Sequence, residues 1–180
     1  MNDSELAKGQ TAPLDKNIFL IGFMGTGKSA VSAHLSSLYR MDIVDMDQII
    51  ARREGMSIPD IFDTHGEEYF RDLETDLLIK MQTRKNTIVS CGGGVPLRAQ
   101  NIAEMKKSGR IFLLTATPQT ILERVNNNDE RPLLSGNKNL EFIEKLMEER
   151  RSKYEAAADV IIHTDEKSIS EVCREILEHV

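Results

Sequence analysis

The octapeptide GFMGTGKS, residues 22–29, is the feature that most restricts how this chain can fold. It follows an apolar run, Asn17–Gly22, that is typical of a buried strand, and it precedes Ala30–Tyr39, which favour a helix. The pattern GxxxxGK[ST] at such a junction is typical of a loop that wraps phosphate groups. Glycines let successive N–H groups turn inward, and the following helix directs its positive end at the anion. We therefore expect a nucleoside triphosphate site.

Residue types within this loop suggest individual roles. Lys28 is predicted to place a mobile charge against the β- and γ-phosphates, and Ser29 to offer a hydroxyl oxygen to Mg²⁺. Further contacts to ATP are predicted at Gly25, Thr26, Gly27 and Ala30. The chain has no NKxD guanine motif, and its 180 residues leave little room for a motor. A small kinase is therefore the favoured nucleotide-binding class.

The rest of the chain alternates short apolar runs with amphipathic stretches, which is typical of a parallel sheet covered by helices. Further strands are predicted at Asp42–Asp45, Thr87–Cys91, Arg110–Thr115 and Asp159–Thr164. Helices are predicted between them. Ser57 with Asp60 and Thr117 with Pro118 indicate helix starts, and Lys106–Lys107 before Gly109 indicate a helix end. A helix is also predicted over Glu141–Ala158, and a core-facing helical stripe is formed by Phe70, Leu73, Leu77 and Met81. An α/β fold is predicted.

Three regions follow from this pattern. Residues 17–180 are predicted to form a single domain, and residues 1–16, which are polar, a flexible tail. Residues 126–139 are polar and rich in helix breakers. A loop of that length inside a domain is usually functional, such as a lid, or disordered.

Composition excludes several classes of protein. The formal charge of −6 argues against a nucleic-acid surface. No apolar run approaches the roughly 20 residues that cross a bilayer, and the N-terminus lacks a signal peptide's apolar core. Cys91 and Cys173 form no CxxC pair, and the four histidines share no ligand spacing, which indicates reduced thiols and no histidine-based metal site. We expect a cytoplasmic monomer that binds anions through a few local cations.

Charged residues and glycines near predicted strand ends form the candidate acceptor site. Asp45 and Asp47 close the second strand, where they are either ligands at the crevice or a solvated acidic turn. Gly92, Gly93 and Gly94 follow the third strand and either present N–H groups to a substrate or form a flexible turn. Two arginines, Arg71 and Arg150, are either solvated or able to clamp a carboxylate.

Taken in order, six motifs resemble the shikimate kinase family. They are IGFMGTGKS (21–29), DMD (45–47), SIPDIFDTHGEEYFRDLE (57–74), SCGGG (90–94), ERPLL (130–134) and RRSKY (150–154). Together they span most of the chain from Asn17 to Asp165. The resemblance implies a P-loop kinase fold with strand order 2-3-1-4-5, a lid at about 126–139 and a shikimate-binding subdomain at about 47–84. It also implies phosphorylation of the 3-hydroxyl of shikimate by ATP.

The resemblance also implies residue roles. Asp47 would contact shikimate hydroxyls as the candidate base, while Arg71 and Arg150 would hold the carboxylate beside Gly92, Gly93 and Gly94. Asp45 would assist Mg²⁺ through its water ligands. Arg131 would be the lid arginine that reaches the γ-phosphate, and Arg124 would stack on adenine, with Asp165–Lys167 nearby. The remaining implied residues line or brace the shikimate-binding subdomain: Phe62, Phe70 and Glu74.

Two rival functions remain at this point. A related kinase, such as gluconate kinase, shares the fold and phosphate loop but has no need of the glycine run with two arginines. A non-catalytic relative would be expected to lose Lys28, Asp47 or Arg131, and all three are present. Cys91, beside the glycines, is expected to be inert because nothing in the sequence indicates a lowered pKa.

Overall fold

A computed structural model of the chain describes residues 13–126 and 139–180, which contain a five-stranded parallel sheet. The strand order is β2-β3-β1-β4-β5, so both the predicted fold class and the order are confirmed. The predicted strand positions are correct to within one residue at each end. The strands are β1 (Asn17–Ile21), β2 (Asp42–Asp45), β3 (Thr87–Ser90), β4 (Gly109–Thr115) and β5 (Val160–His163).

Helices connect the strands and begin where capping residues place them. Ser57 accepts from the Asp60 N–H, Thr117 from the Thr120 N–H, and the acid Asp45 from the Gln48 N–H, each at the start of a helix. The helices are α1 (Lys28–Tyr39), α2 (Met46–Glu54), α3 (Ile58–Met81), α4 (Ala99–Ser108), α5 (Pro118–Asn126), α6 (Leu140–Ala157) and α7 (Ile169–Leu177), with a short 3₁₀ turn at Val95–Leu97.

The sheet is apolar on both faces because helices cover both. Along β1, Ile18 and Leu20 face one cluster, and Phe19 and Ile21 face the other. The first cluster includes side chains of α1 and α7, and the second includes side chains of α3 to α6. This arrangement explains why the strands read as continuous apolar runs rather than alternating ones. It places all the loops that follow the strands at one edge of the sheet.

Helix α3 bends at Gly66, whose φ of 83° and ψ of 167° interrupt the helical backbone. Only glycine adopts such angles readily. After the bend, the stripe predicted to face the core does so: Phe70, Leu77 and Met81 are buried, and Leu73 is half-buried. Before the bend, Phe62 packs on Phe70 with ring centroids 4.9 Å apart.

The predicted lid at residues 126–139, including Arg131, lies outside the described residues apart from its two end positions. Of the predicted N-terminal tail, residues 13–16 are described, and Leu14 donates its N–H to the Asn86 Oδ1 at 3.0 Å. Among residues 13–126 and 139–180, no helix combines the length and apolar character that spanning a bilayer requires.

Candidate active site

The loop between β1 and α1 has the shape of an anion nest. Gly22, Gly25 and Gly27 all have positive φ, at 145°, 79° and 101°. The Thr26 hydroxyl closes the loop by donating to the Phe23 carbonyl oxygen at 2.8 Å. This sequence of left-handed glycines turns backbone N–H groups toward one point.

Helix α1 begins at Lys28, at the end of this nest. Its N-cap, Gly27, has no capping side chain, so the first N–H groups of the helix remain available to an anion. The Lys28 ammonium lies inside the loop, where it donates to the carbonyl oxygens of Gly22 at 2.8 Å and Phe23 at 3.0 Å. Ser29 and Ala30 are exposed in the first turn. The residues that were predicted to contact phosphate therefore lie close together in this loop and in the first turn of α1.

Arg124 links the phosphate loop to the end of β5. Its guanidinium donates to the Gly25 carbonyl oxygen at 3.2 Å and to Thr164, through the hydroxyl at 3.0 Å and the carbonyl oxygen at 2.9 Å. Asp165 follows and accepts from the N–H and hydroxyl of Thr117. Partial burial raises the pKa of Asp165, but these donors outweigh it, so the pKa is lowered. Arg124 therefore borders the phosphate loop, and Asp165 directly follows its partner Thr164, in the region where adenine contacts were predicted.

Asp45 and Asp47 lie at the junction of β2 and α2 and have different surroundings. Asp45 ends β2 and is the N-cap of α2, because it accepts from the Gln48 N–H at 3.1 Å. Asp47 lies in the first turn of α2. Its side chain is exposed, but it points to the glycine run: a methyl group at Gly92 would lie 2.7 Å from the Asp47 Oδ1. The predicted base is therefore next to the predicted substrate loop.

Side chains from three helices, α2, α3 and α6, approach the glycine run that follows β3. A methyl group at Gly92 would also lie 3.1 Å from the Glu74 Oε1 of α3. A methyl at Gly93 would lie 3.3 Å from the Arg150 Nη1 of α6, and one at Gly94 would overlap the Arg71 guanidinium of α3. A side chain at any of these glycines would therefore require one of the charged groups to shift. This close approach favours a substrate-contacting loop over a flexible turn.

Arg71 lies between two acids and two aromatic rings. Its Nη1 donates to the Glu74 Oε2 at 2.9 Å, while Nε and Nη2 both donate to the Glu67 Oε1, at 3.2 and 2.8 Å. The guanidinium carbon lies 5.5 Å from the Phe70 ring centroid and 5.9 Å from that of Phe62. Arg71 is thus held in place rather than solvated, with the Nε–Nη2 edge toward the exposed Glu67.

Glu74 is fully buried, and its two carboxylate oxygens have different surroundings. Oε2 accepts from Arg71, whereas the buried Oε1 has no hydrogen-bond partner among the described residues. Burial raises the pKa of Glu74 to about 7, and the Asp47 charge adds to this, although Arg71 opposes both. The family resemblance implied only that Glu74 lines or braces the shikimate-binding subdomain. It gave no sign of a carboxyl that titrates near neutral pH.

Arg150 reaches the glycine run together with Tyr154, a residue that the sequence analysis did not single out. The Tyr154 hydroxyl donates to the Gly93 carbonyl oxygen at 2.6 Å. The Arg150 guanidinium carbon lies 5.9 Å from the Phe23 ring centroid. Spacing could have revealed Tyr154, because residues four apart share a helix face. Phe23 gave no signal, since only the folded chain brings α6 over the phosphate loop.

Cys91 precedes the glycine run and is 1% exposed. Burial, the largest effect, raises the pKa of its thiol, and the Glu74 charge adds to it, so the thiolate does not form near neutral pH. The inert role expected for Cys91 fits this environment.

The pKa of Glu74 gives a prediction for stability. The folded carboxyl, with a pKa of about 7 against an ordinary value of 4.5, holds its proton more tightly than the unfolded one. Its stabilising contribution is therefore complete below about pH 4.5 and lost as the pH rises through about 7. Between these limits, the free energy of unfolding of the wild type should fall by about 1–3 kcal/mol relative to Glu74→Gln.

Chemical denaturation across this pH range measures the difference. Glu67→Gln is the matched control, because Glu67 contacts the same arginine but is 66% exposed. Its unfolding free energy should follow the wild-type pH dependence. If the free energy of unfolding had the same pH dependence in Glu74→Gln and in the wild type, the pKa of Glu74 would not be raised by folding.

The chain is similar to proteins of one family over nearly its whole length. The shikimate kinase family model matches residues 24–180. Shikimate kinases of Caldanaerobacter subterraneus subsp. tengcongensis and Persephonella marina are 41% and 43% identical over 162 residues. These alignments cover 90% of this chain and 94% and 97% of those proteins.

Solved structures agree with this result. A shikimate kinase from Acinetobacter baumannii, in complex with shikimate, is 30% identical with a TM-score of 0.81, over 98% of this chain and 96% of its own. A gluconokinase from Sinorhizobium meliloti is 17% identical with a TM-score of 0.60, over 93% of this chain and 92% of its own, a likeness that shows the fold alone. Since the family model spans most of the chain and its relatives share two-fifths of their residues with it, the chain belongs to the shikimate kinase family.

Proposed function

We propose that this chain transfers the γ-phosphoryl group of ATP to the 3-hydroxyl of shikimate, giving shikimate 3-phosphate and ADP in aromatic amino acid biosynthesis. One observation carries the proposal: a carboxylate and two guanidinium groups, from Asp47, Arg71 and Arg150, approach the glycine run that follows β3. Strand β3 is the direct neighbour of β1, which leads into the phosphate loop. A polyhydroxylated acid bound there lies next to the phosphates of ATP.

Arg71 is suited to hold the substrate carboxylate. Its Nε–Nη2 edge is a planar pair of donors that matches two carboxylate oxygens. Among the described residues, this edge donates to Glu67, which is 66% exposed, and ion pairs with so exposed an acid contribute about 0–1 kcal/mol. A substrate carboxylate can therefore displace Glu67 at little cost. Glu74, on the other side, keeps the guanidinium in place.

Phosphoryl transfer requires positioned reactants and compensation of negative charge. In the proposed mechanism, Asp47 orients the 3-hydroxyl and accepts its proton, while Lys28 stabilises the β- and γ-phosphate oxygens. Arg131, which lies outside the described residues, is proposed to reach the γ-phosphate from the lid at residues 126–139. Arg124 is proposed to stack on adenine, because its guanidinium borders the phosphate loop at Gly25.

Mg²⁺ is proposed as the metal that accompanies ATP. It usually takes one or two protein oxygens and completes its shell with phosphates and water. The exposed Ser29 hydroxyl next to Lys28 fits that role, and we propose that Asp45, at the end of β2, accepts hydrogen bonds from the metal's waters. In residues 13–126 and 139–180, no three His, Cys, Asp or Glu side chains form a metal cluster. A site that relies on phosphate and water oxygens fits this donor set. The ion would neutralise charge on the phosphates.

The proposal includes the cellular setting. We expect a monomer in the cytoplasm, because the charge and cysteine content of the chain suit a small, reduced metabolic enzyme.

Steady-state kinetics with purified protein and Mg·ATP test the function directly. Shikimate and gluconate, assayed side by side, should give rapid ADP release with shikimate only. Identification of shikimate 3-phosphate by mass and NMR excludes simple ATP hydrolysis. Turnover of gluconate but not of shikimate would overturn the proposal in favour of a kinase for another metabolite.

Arg71→Lys tests the carboxylate clamp. An ammonium has no planar pair of donors, so the KM for shikimate should rise about 10- to 100-fold while the KM for ATP changes little. Arg84→Lys, an exposed arginine next to the start of β3, is the control and should leave both constants unchanged. An unaltered KM for shikimate in Arg71→Lys would remove Arg71 from substrate binding.

A further inference from the structure

A buried polar contact joins α3 to the segment that follows the glycine run. Thr75 in α3 and Asn101 in α4 are 6% and 0% exposed. The Thr75 hydroxyl donates to the Asn101 Oδ1 at 2.7 Å, and the Asn101 Nδ2 donates to the Val95 carbonyl oxygen at 3.0 Å. Because Val95 directly follows Gly94, and its own N–H bonds to the Gly92 carbonyl oxygen at 3.1 Å, this contact ties α3 to the glycine run.

Arg71 lies one helical turn before Thr75, on the same helix α3. The Thr75 hydroxyl also lies 3.0 Å from the Arg71 carbonyl oxygen, but it has a single proton and the shorter distance assigns that proton to Asn101. The Arg71 guanidinium occupies the space that a side chain at Gly94 would need. Any shift of α3 relative to Val95 therefore moves the guanidinium relative to the glycine backbone.

A second link between α3 and this segment is weaker. Arg98 donates to Asp72 and Glu68 of α3, which are 65% and 85% exposed, and its Nη1 also donates to the Thr75 hydroxyl over a longer distance of 3.3 Å. Exposed ion pairs contribute about 0–1 kcal/mol and exchange readily with water. A buried oxygen that loses its donor costs about 1–3 kcal/mol. The Thr75–Asn101 bond is thus the stronger restraint on the spacing between α3 and the glycine run.

We propose that the Thr75–Asn101 hydrogen bond positions Arg71 against the glycine run, and that this spacing sets the affinity for the substrate carboxylate. The inference rests on the proposed function, since it assumes that Arg71 and the glycine run bind that carboxylate together. Thr75 and Asn101 are positioning residues: they act through Arg71 and the backbone rather than by contact with the substrate. Substrate recognition then depends on a contact in the core behind the site.

Thr75→Val tests the inference, because valine keeps the shape of threonine and removes the hydroxyl. The KM for shikimate should rise about ten-fold, while kcat and the KM for ATP stay within about two-fold. Thr75→Ser, which retains the hydroxyl, should restore the wild-type KM. Asn101→Ala should raise the KM in the same direction. Combining it with Thr75→Val should raise the KM by less than the product of the two single effects, since both variants remove the Thr75–Asn101 bond while Asn101→Ala also removes the donor to the Val95 carbonyl oxygen.

Thr87→Val is the matched control. Thr87 is 0% exposed, and its hydroxyl donates to the Lys85 carbonyl oxygen at 3.0 Å, at the opposite end of the strand that leads to the glycine run. This variant should lose thermal stability and keep the KM for shikimate. An unchanged KM in Thr75→Val, or an equal rise in Thr87→Val, would overturn the inference. If Thr75→Val does not fold, Asn101→Ala provides the same comparison.

Failure of the positioning role and failure of the proposed function give different experimental results. A wild-type enzyme that does not phosphorylate shikimate contradicts the function itself. A wild-type enzyme that does so, together with a Thr75→Val variant of unchanged shikimate affinity by calorimetry, contradicts only the positioning role.

Discussion

Replacing Asp47 with asparagine should lower kcat for shikimate phosphorylation about 10²- to 10³-fold, with little change in either KM. Asparagine keeps the shape of the side chain and its approach to Gly92 but accepts no proton from the substrate hydroxyl. The measurement is steady-state ADP release at saturating shikimate and ATP. Because chemistry and not binding is affected, kcat and kcat/KM should fall together.

Asp42→Asn is the control for this change. Asp42 is an exposed aspartate at the other end of the same strand, β2, far along the sheet from the glycine run. Its substitution should leave the rate unaltered. An Asp47→Asn enzyme with near wild-type kcat would remove that carboxylate from the mechanism, and substrate positioning by the remaining groups would have to account for the rate.

Gly22→Ala should cost more stability than any other substitution considered, about 4 kcal/mol or more. Gly22 has a φ of 145°, and an added methyl group would overlap the carbonyl oxygen of Leu114 in the adjacent strand β4. Backbone atoms of a central strand cannot move aside as a flexible side chain can. Chemical denaturation should show a greatly lowered midpoint, or no folded protein at all.

Gly27→Ala separates the cost of backbone strain from the cost of steric overlap. Gly27 has a φ of 101°, but a methyl group there would meet no atom within 4 Å. It therefore suffers the backbone strain alone, which costs about 1–3 kcal/mol. Equal losses for the two variants would mean that the overlap with Leu114 contributes nothing and that φ alone decides.

The elements of the fold were accessible from the sequence because their signals are local. Each strand is a short apolar run between polar breakers, and Ser57 and Thr117 begin helices through contacts within three residues. The strand order was not accessible in this way. It came from the family resemblance, since pairing depends on contacts such as Ile18 with Ile88, far apart in the chain.

The candidate site likewise combines residues with local sequence signals and residues whose roles depend on long-range contacts. Lys28 and Ser29 were predicted from a motif whose geometry is complete within eight residues. Glu74 belonged to a recognised motif, but its burial and raised pKa depend on how α3 packs behind Gly92. The Thr75–Asn101 bond spans 26 residues and involves two common polar side chains. Nothing in the composition or periodicity of either segment marks them as partners.

The bend at Gly66 determines what lies beneath the Arg71 guanidinium. In a straight helix, Phe62 and Phe70 would be separated by about 12 Å along the axis, at about 1.5 Å per residue. Their ring centroids are 4.9 Å apart, because the non-helical φ and ψ of Gly66 bend the helix and bring the two rings together. The two aromatic rings beside the Arg71 guanidinium are thus brought together by a residue without a side chain, at a position with open space around it.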